Sequence, residues 1–446
     1  MSTGNAQPTI DIPLIERVLA ANPRDGGAWS TLGVLLRRAG KLNAAIACHT
    51  RGVAFDPSHP GIWSNLGNAL VDLGRYDEAI AAHRQSCELA SGAVTSWFNL
   101  AIALRKGGQF TETLEALDRG LALEPSNAAL QWERSLTSLQ IGDYPQGFAY
   151  YESRRGIPAY RNRIPPGPAW DGSPLNGRRI LLSTEQGFGD ALLVARYVPL
   201  VKALGGHVVF ECHPELRQVL SDLPVDEVMT AGADYPAYDV HASLMSLPKL
   251  FATTYDSVPP PVSIAVPTAS REKAARLLGP RDGTFRVGIV WSGRVTFADN
   301  ARRASTLDRF LRLLEVPNTR FYSLQKGPPE TQLADLGTTA LIPALGPHFD
   351  DFADTAAVIE QLDLVIMTDS SVAHLAGSLG TPIWNLVQYV PYWIYGFEGD
   401  RTPWYPSMRL FRQGRDEDWE AVFEATKRSL AMAAAARSFR LMPEGR

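Results

Sequence analysis

Trp29, Trp63 and Trp97 fall 34 residues apart, and the residues around them keep the same register. Leu32, Leu66 and Leu100 recur with them, as do Gly33, Gly67 and Ala101, small residues where paired helices come close. Gly40, Gly74, Gly108 and Gly142 mark the turn inside each unit. Ala45, Ala79 and Thr113 hold the small position of the second helix; Pro23, Pro57 and Pro125 stop it, with Ser91 in the missing place. A period of this length restricts the first third of the chain to stacked helix–turn–helix units, each burying its apolar face on the next.

These units resemble tetratricopeptide repeats. Three are well formed, over roughly 23–126, and a fourth, 127–155, has Gln131 at the tryptophan position and reads as a cap or junction. Residues 11–21 read as a preceding half-unit, so a helical solenoid is expected over 11–155. The tryptophans read as packing residues. The resemblance implies a protein partner held by the array. Asn65, Asn68 and Asn99 fall on first helices, where their amides either clamp a peptide backbone or form a solvated polar face.

Composition narrows the remaining choices. Apolar content of 45% and charged content of 20% are those of a globular protein, and a net charge of −4 supplies no field toward nucleic acid. The start, MSTGNAQPTIDIP, has neither basic n-region nor apolar core, and no apolar run reaches bilayer-spanning length. Cys48, Cys87 and Cys212 are far apart and form no CxxC pair, which fits a reduced, cytoplasmic setting.

Residues 156–178 are rich in Pro and Gly and read as a linker in which Trp170 pins the chain to a neighbour. Beyond them, short apolar runs alternate with helical patterns. Strands are expected at 179–184, 207–212, 239–242 and 263–266, with a helix over 191–204. A second block places strands at 286–291, 320–324, 364–367 and 382–386, with helices over 307–314, 355–362 and 371–379. Two Rossmann-like lobes follow, 179–280 and 281–412, each a parallel sheet faced by helices, with ligands expected at the carboxyl ends of the strands.

The motifs Gly187-Phe-Gly-Asp190, Val290-Trp-Ser-Gly293 and Asp369-Ser-Ser-Val-Ala-His374-Leu-Ala-Gly each follow a strand. They resemble motifs of GT-B glycosyltransferases, with the family 9 heptosyltransferases and their bacterial tetratricopeptide allies as nearest relatives. The plan of repeats followed by a GT-B unit is similar to that of the O-linked N-acetylglucosamine transferases. The resemblance implies a metal-independent, inverting transfer from a nucleotide sugar, which is substrate rather than cofactor, to a protein hydroxyl. It also implies that a final helix, 413–436, packs back on the first lobe.

Such transfer needs a base for the acceptor proton and positive charge for the departing diphosphate. Asp190 resembles the family's base; as a residue between a glycine turn and an apolar helix it equally suits an N-cap. Gly187 and Gly189 let backbone approach the donor. Asp369, Ser370 and Ser371 open a helix whose N-terminus suits a diphosphate, with simple capping as the alternative, and His374 lies one turn further in. Ser292, Gly293, Arg294 and Arg303 lie on a stretch that either offers a cation to phosphate or is a solvated basic loop. Gln325 and Lys326 end a strand whose end, the resemblance implies, approaches the nucleotide, with a surface lysine beside a turn as the alternative. The aromatic stretch from Tyr389 to Ser407 suits packing between lobes, or a sugar face. No metal-ligand spacing occurs among the eight histidines. A scaffold with relic lobes, a transferase for lipid-linked glycan, and a homo-oligomer stay open.

Overall fold

A computed structural model describes residues 11–158, 164–296 and 300–440. Its contacts separate two compact units, one up to Thr137 and one from Ser138.

The first unit is all helix: α1 (Ile12–Ala21), α2 (Gly26–Arg38), α3 (Leu42–Phe55), α4 (Pro60–Asp72), α5 (Tyr76–Leu89), α6 (Val94–Lys106), α7 (Phe110–Leu123) and most of α8 (Ala128–Gln140). The period reappears as one repeated hydrogen bond. Trp29, Trp63 and Trp97 each donate the indole N–H to the carbonyl six residues back, on Pro23, Pro57 and Ser91, at 2.8–2.9 Å. Gln131 makes the same bond to Pro125 at 2.8 Å, so the fourth unit keeps the lock without the ring. The turn glycines Gly40, Gly74, Gly108 and Gly142 take φ of +73° to +86°, which side-chain-bearing residues avoid. A second periodic contact joins the helices of a unit. His49 lies on Gly33 and His83 on Gly67, so close that a Cβ on either glycine would stand 2.5 Å from the ring. One repeat further on, the same two positions hold Ala101 and Leu117, both fully buried.

The second unit begins inside α8 rather than at residue 155. Its first complete helix, α9 (Tyr144–Tyr151), turns Tyr144 and Phe148 onto Trp393, with ring centroids 6.0 and 5.7 Å apart. Tyr144 also accepts a hydrogen bond from the Trp404 indole at 2.8 Å. These aromatic contacts tie α9 to the α/β part. Of the expected linker, 159–163 lie outside the described residues. Trp170 does pin the rest: it is buried, packs on Phe251, and hydrogen-bonds the carbonyl of His241 through its backbone N–H at 2.8 Å.

Two parallel sheets follow. The first runs β3-β2-β1-β4, with β1 (Arg179–Ser183), β2 (His207–Cys212), β3 (Glu227–Thr230) and β4 (Val240–Ser243). The second runs β6-β5-β7-β8-β9, with β5 (Phe285–Val290), β6 (Thr319–Ser323), β7 (Leu364–Thr368), β8 (Ile383–Val387) and β9 (Met408–Arg412). In both, the strand that carries a motif is central: β1 pairs with β2 and β4, and β5 and β7 pair with each other.

Several expectations need correction. Segment 263–266 is not a strand; it is an extended crossing with Val262 and Val266 buried. The fourth strand of the first sheet is β3, a four-residue edge strand with mostly exposed side chains, too short to give a clear apolar run. Pattern reading also passed over β9. The helix expected over 191–204 is broken into α10 (Phe188–Val194), a 3₁₀ turn and a short helix that starts before Pro199. The last helix, α15 (Trp419–Arg440), packs on the second lobe, not back on the first. Trp419, Val422, Phe423 and Leu430 join one core with Leu307, Phe310 and Leu313, because their spacing makes a single apolar stripe. The remaining helices used below are α11 (Thr268–Leu278), α12 (Leu307–Leu311), α13 (Phe352–Ile359) and α14 (Ser371–Ser378).

Candidate functional site

The motif loops after β1, β5 and β7 meet at the carboxyl ends of the two sheets. The lobes touch there through α10 and α14, and Gly189 makes the approach possible: a Cβ on it would stand 2.8 Å from the His374 ring. Beside it, Phe188 packs edge-on against His213 and Phe352.

Asp190 is not the N-cap of its helix. Gly187 occupies that place, and Asp190 sits in the first turn. Its carboxylate accepts a hydrogen bond from the Tyr392 hydroxyl at 3.0 Å and keeps a partly open face. Dense surrounding protein raises its pKa to about 6; the bonds from Tyr392 and the Gly187 backbone oppose that rise, Asp369 adds to it and Arg303 opposes it.

Asp369, expected either to cap or to meet phosphate, is not the N-cap, and both of its oxygens have partners within the protein. One oxygen accepts from the Tyr395 hydroxyl at 2.8 Å, and the other faces Arg303 at 3.3 Å. Ser370 is the N-cap of α14, with no side-chain capping bond. Its hydroxyl is buried without a protein partner, as are Asn300 Oδ1 and the Ser305 hydroxyl on the loop after β5. Ser371 and Gly293 stay partly open. His374 is buried and shares a hydrogen bond with the Tyr405 hydroxyl at 3.0 Å. Burial lowers its pKa to about 4 despite the opposing charge of Asp369, so the ring is neutral near pH 7. Gly377 lets this happen, since a Cβ there would stand 2.4 Å from the Tyr405 ring.

The sequence reading missed this trio. Tyr392, Tyr395 and Tyr405 come from one aromatic segment, and each hydrogen-bonds a different candidate: Asp190, Asp369 and His374. The segment's tryptophans pack, but its tyrosines organise the site. The only available signal was their clustering after β8.

The other candidates divide. Ser292 accepts from Asn300 at 3.1 Å, which ties the β5 loop to the short helix that carries Arg303. Gln325 uses its whole amide within the protein: it accepts from the Trp291 and Ser292 backbone N–H groups and donates to the Ser292 and Lys326 carbonyls. Its place is that of a loop clamp. Lys326 is exposed and donates to the Phe349 carbonyl. Arg294 is exposed and donates to Thr296 at 2.8 Å. Of the two candidate arginines, Arg303 is the one that reaches the Asp369 carboxylate just before α14.

In the first unit, Asn65 donates to Ser30 at 3.1 Å and Asn99 to Ser64 at 3.0 Å, a ladder between first helices of adjacent repeats. Asn68 is partly exposed on the same helix as Asn65. A groove of about 590 Å³ lies elsewhere, over α6 between α5 and α7, lined by Arg84, Cys87, Glu88, Trp97 and Glu115 among others. Among the described residues, no three His, Cys, Asp or Glu side chains converge on one point, and no helix is long and apolar enough to cross a membrane.

Tetratricopeptide repeat patterns match residues 60–92 and 98–159. Protein FlbA of Caulobacter vibrioides is 28% identical over 323 residues, which cover 66% of this chain. The chain spans about half the length of that relative, 53%. Among solved structures, YrrB, described as a TPR protein with an unusual peptide-binding site, is 16% identical, covers 34% of this chain over 79% of its own, and gives a TM-score of 0.30. MamA from Desulfovibrio magneticus is 14% identical, covers 33% over 81% of its own, and also gives 0.30. The N-terminal part is a tetratricopeptide array, an architecture whose extended surfaces bind other proteins; an α/β part with two parallel sheets follows.

Proposed function

We propose that this chain is a glycosyltransferase, moving a sugar from a nucleotide-sugar donor to a hydroxyl of a protein recruited by its repeats. The observation that carries the reading is the meeting of two helix starts at the carboxyl ends of two parallel sheets. One start bears a carboxylate with a raised pKa, Asp190; the other bears serine hydroxyls beside a guanidinium, Arg303.

In this reading Asp190 takes the proton of the acceptor hydroxyl as its oxygen attacks the anomeric carbon in line. The bond from that carbon to the diphosphate breaks, and the configuration inverts. Negative charge grows on the departing diphosphate. The reading assigns its stabilisation to the N–H groups of the first turn of α14, the Ser370 and Ser371 hydroxyls and Arg303. A carboxyl with a pKa of about 6 is ionised at pH 7 yet more basic than an ordinary aspartate, which suits a general base.

Calorimetric titration with a panel of nucleotide sugars tests the donor site. One member of the panel binds, its nucleoside diphosphate competes, and Arg303→Ala weakens binding by roughly tenfold, the scale of one charged hydrogen bond. If no member of the panel binds, the transferase reading is lost.

A further inference from the structure

The loop that carries Asp190 is held from behind by α9 and the 3₁₀ turn Glu152–Gly156 after it, and this hairpin has no part in the chemistry derived above. Arg154 is fully buried; its guanidinium donates to Glu185 from two nitrogens at 2.8 and 2.6 Å, to Glu152 at 2.8 Å and to Ser246 at 2.8 Å. Glu185 is buried too and opens the turn that ends at Asp190. Tyr151, the last residue of α9, is 2% exposed, and its hydroxyl lies 3.3 Å from the amide of Gln186. In the amide orientation that pairs both ends, Gln186 Nε2 donates to both oxygens of Asp190 at 3.3 Å, and its oxygen accepts from Tyr151.

We propose that Tyr151 and Arg154 are positioning residues for Asp190. Arg154 anchors the Glu185–Asp190 turn, and Tyr151 acts through Gln186 to keep a donor on the carboxylate. The other groups that face Asp190 are the Tyr392 hydroxyl, the Gly187 backbone, Arg303, Asp369 and Tyr405. Within that set, the Tyr151–Gln186 chain is the contribution of the repeat-derived hairpin; the repeat pattern matched through residue 159 includes it. The inference rests on the transferase reading for its kinetic readout.

The test uses the full chain with Tyr151→Phe, Gln186→Leu and the double variant. Arg154 is left intact, because its loss strands a buried carboxylate and threatens folding. Losing a donor to a carboxylate raises its pKa. The acidic limb of transfer therefore moves to higher pH in Tyr151→Phe: up to about tenfold loss near pH 6, the scale of one hydrogen bond, and near wild-type rates at pH 8. Gln186→Leu moves the limb at least as far, and the double variant no further. A uniform drop at every pH with the limb unmoved, or no change, overturns the proposal and leaves the transferase reading standing. If the wild type transfers from no donor, that reading falls, and ¹³C carboxyl titration of Asp190, identified with Asp190→Asn, decides the positioning role. A higher pKa in Tyr151→Phe supports it; an equal pKa overturns it.

Discussion

At the scale of residues, the site is two carboxylates and an imidazole, each hydrogen-bonded by a different tyrosine. Tyr392 donates to Asp190 at 3.0 Å and so favours the ionised carboxylate against the burial that disfavours it. Tyr392→Phe removes that donor. Asp190 then holds its proton to higher pH, and the acidic limb of the transfer rate shifts upward from near pH 6 by as much as one unit. A pH–rate profile for kcat/KM reads the shift directly; an unmoved limb takes Asp190 out of the rate. Asp190, Ser370 and Ser371 were legible as candidates because each stands where a helix opens soon after a strand, and Arg303 because it follows the β5 motif. Their partners were not, since Tyr392, Tyr395 and Tyr405 lie far along the chain from Asp190 and within an aromatic run that reads equally as packing. Gln325 was named as a ligand contact because the resemblance brings that strand end to the nucleotide; in the folded chain its amide is used by backbone groups of Trp291, Ser292 and Lys326.

At the scale of elements, the repeats show how one contact substitutes for another. Gln131 replaces a tryptophan yet keeps its bond to the carbonyl six residues back. Gly67 and His83 form a pair that Ala101 and Leu117 replace one repeat on. Gly67→Ala drives a methyl into a fully buried ring, at a cost of about 1–3 kcal/mol that exceeds the helix-propensity gain of about 1. Adding His83→Leu removes the clash and the buried unpaired imidazole nitrogens together. Thermal melts of the two single variants and the double read the coupling. The double variant recovers most of the loss; equal destabilisation by Gly67→Ala in both backgrounds contradicts the packing described. The period made the helices legible, and alternation made the inner strands legible. The short, exposed β3 on a sheet edge, and the breaks in the segment after Asp190, depend on tertiary context that no local pattern encodes.

At the scale of the whole molecule, buried imidazoles make stability depend on acid, and the repeat unit carries two of them. Burial, reinforced by Arg37, lowers the pKa of His49 and His83 from 6.5 to about 4. The unfolded chain takes up these protons near pH 6.5 while the folded repeats do not. Stability is thus complete above pH 6.5 and is lost as the pH falls toward 4, on the order of 2–3 kcal/mol for each ring. Denaturant melts of the full chain, followed by tryptophan fluorescence, should show the repeat transition weakening over that window, and His49→Leu with His83→Leu should flatten it. An equal slope in both chains contradicts the assignment. The boundary also has a practical consequence. A chain cut at residue 155, where the sequence places the junction, would lose α9 with Tyr144, Phe148 and Tyr151, all buried in the α/β part; the break in contacts lies at Thr137 and Ser138 instead.

The central claim is that the joined sheets transfer a sugar. Its most direct measurement incubates the full chain and Asp190→Asn with the nucleotide-sugar panel and a proteome of candidate acceptors, and reads intact acceptor mass and released nucleotide. The account predicts one added glycosyl mass on a protein acceptor, matched by released nucleoside diphosphate, and a roughly 10²–10⁴-fold lower rate in Asp190→Asn. No added mass and no released nucleotide with any donor would contradict it.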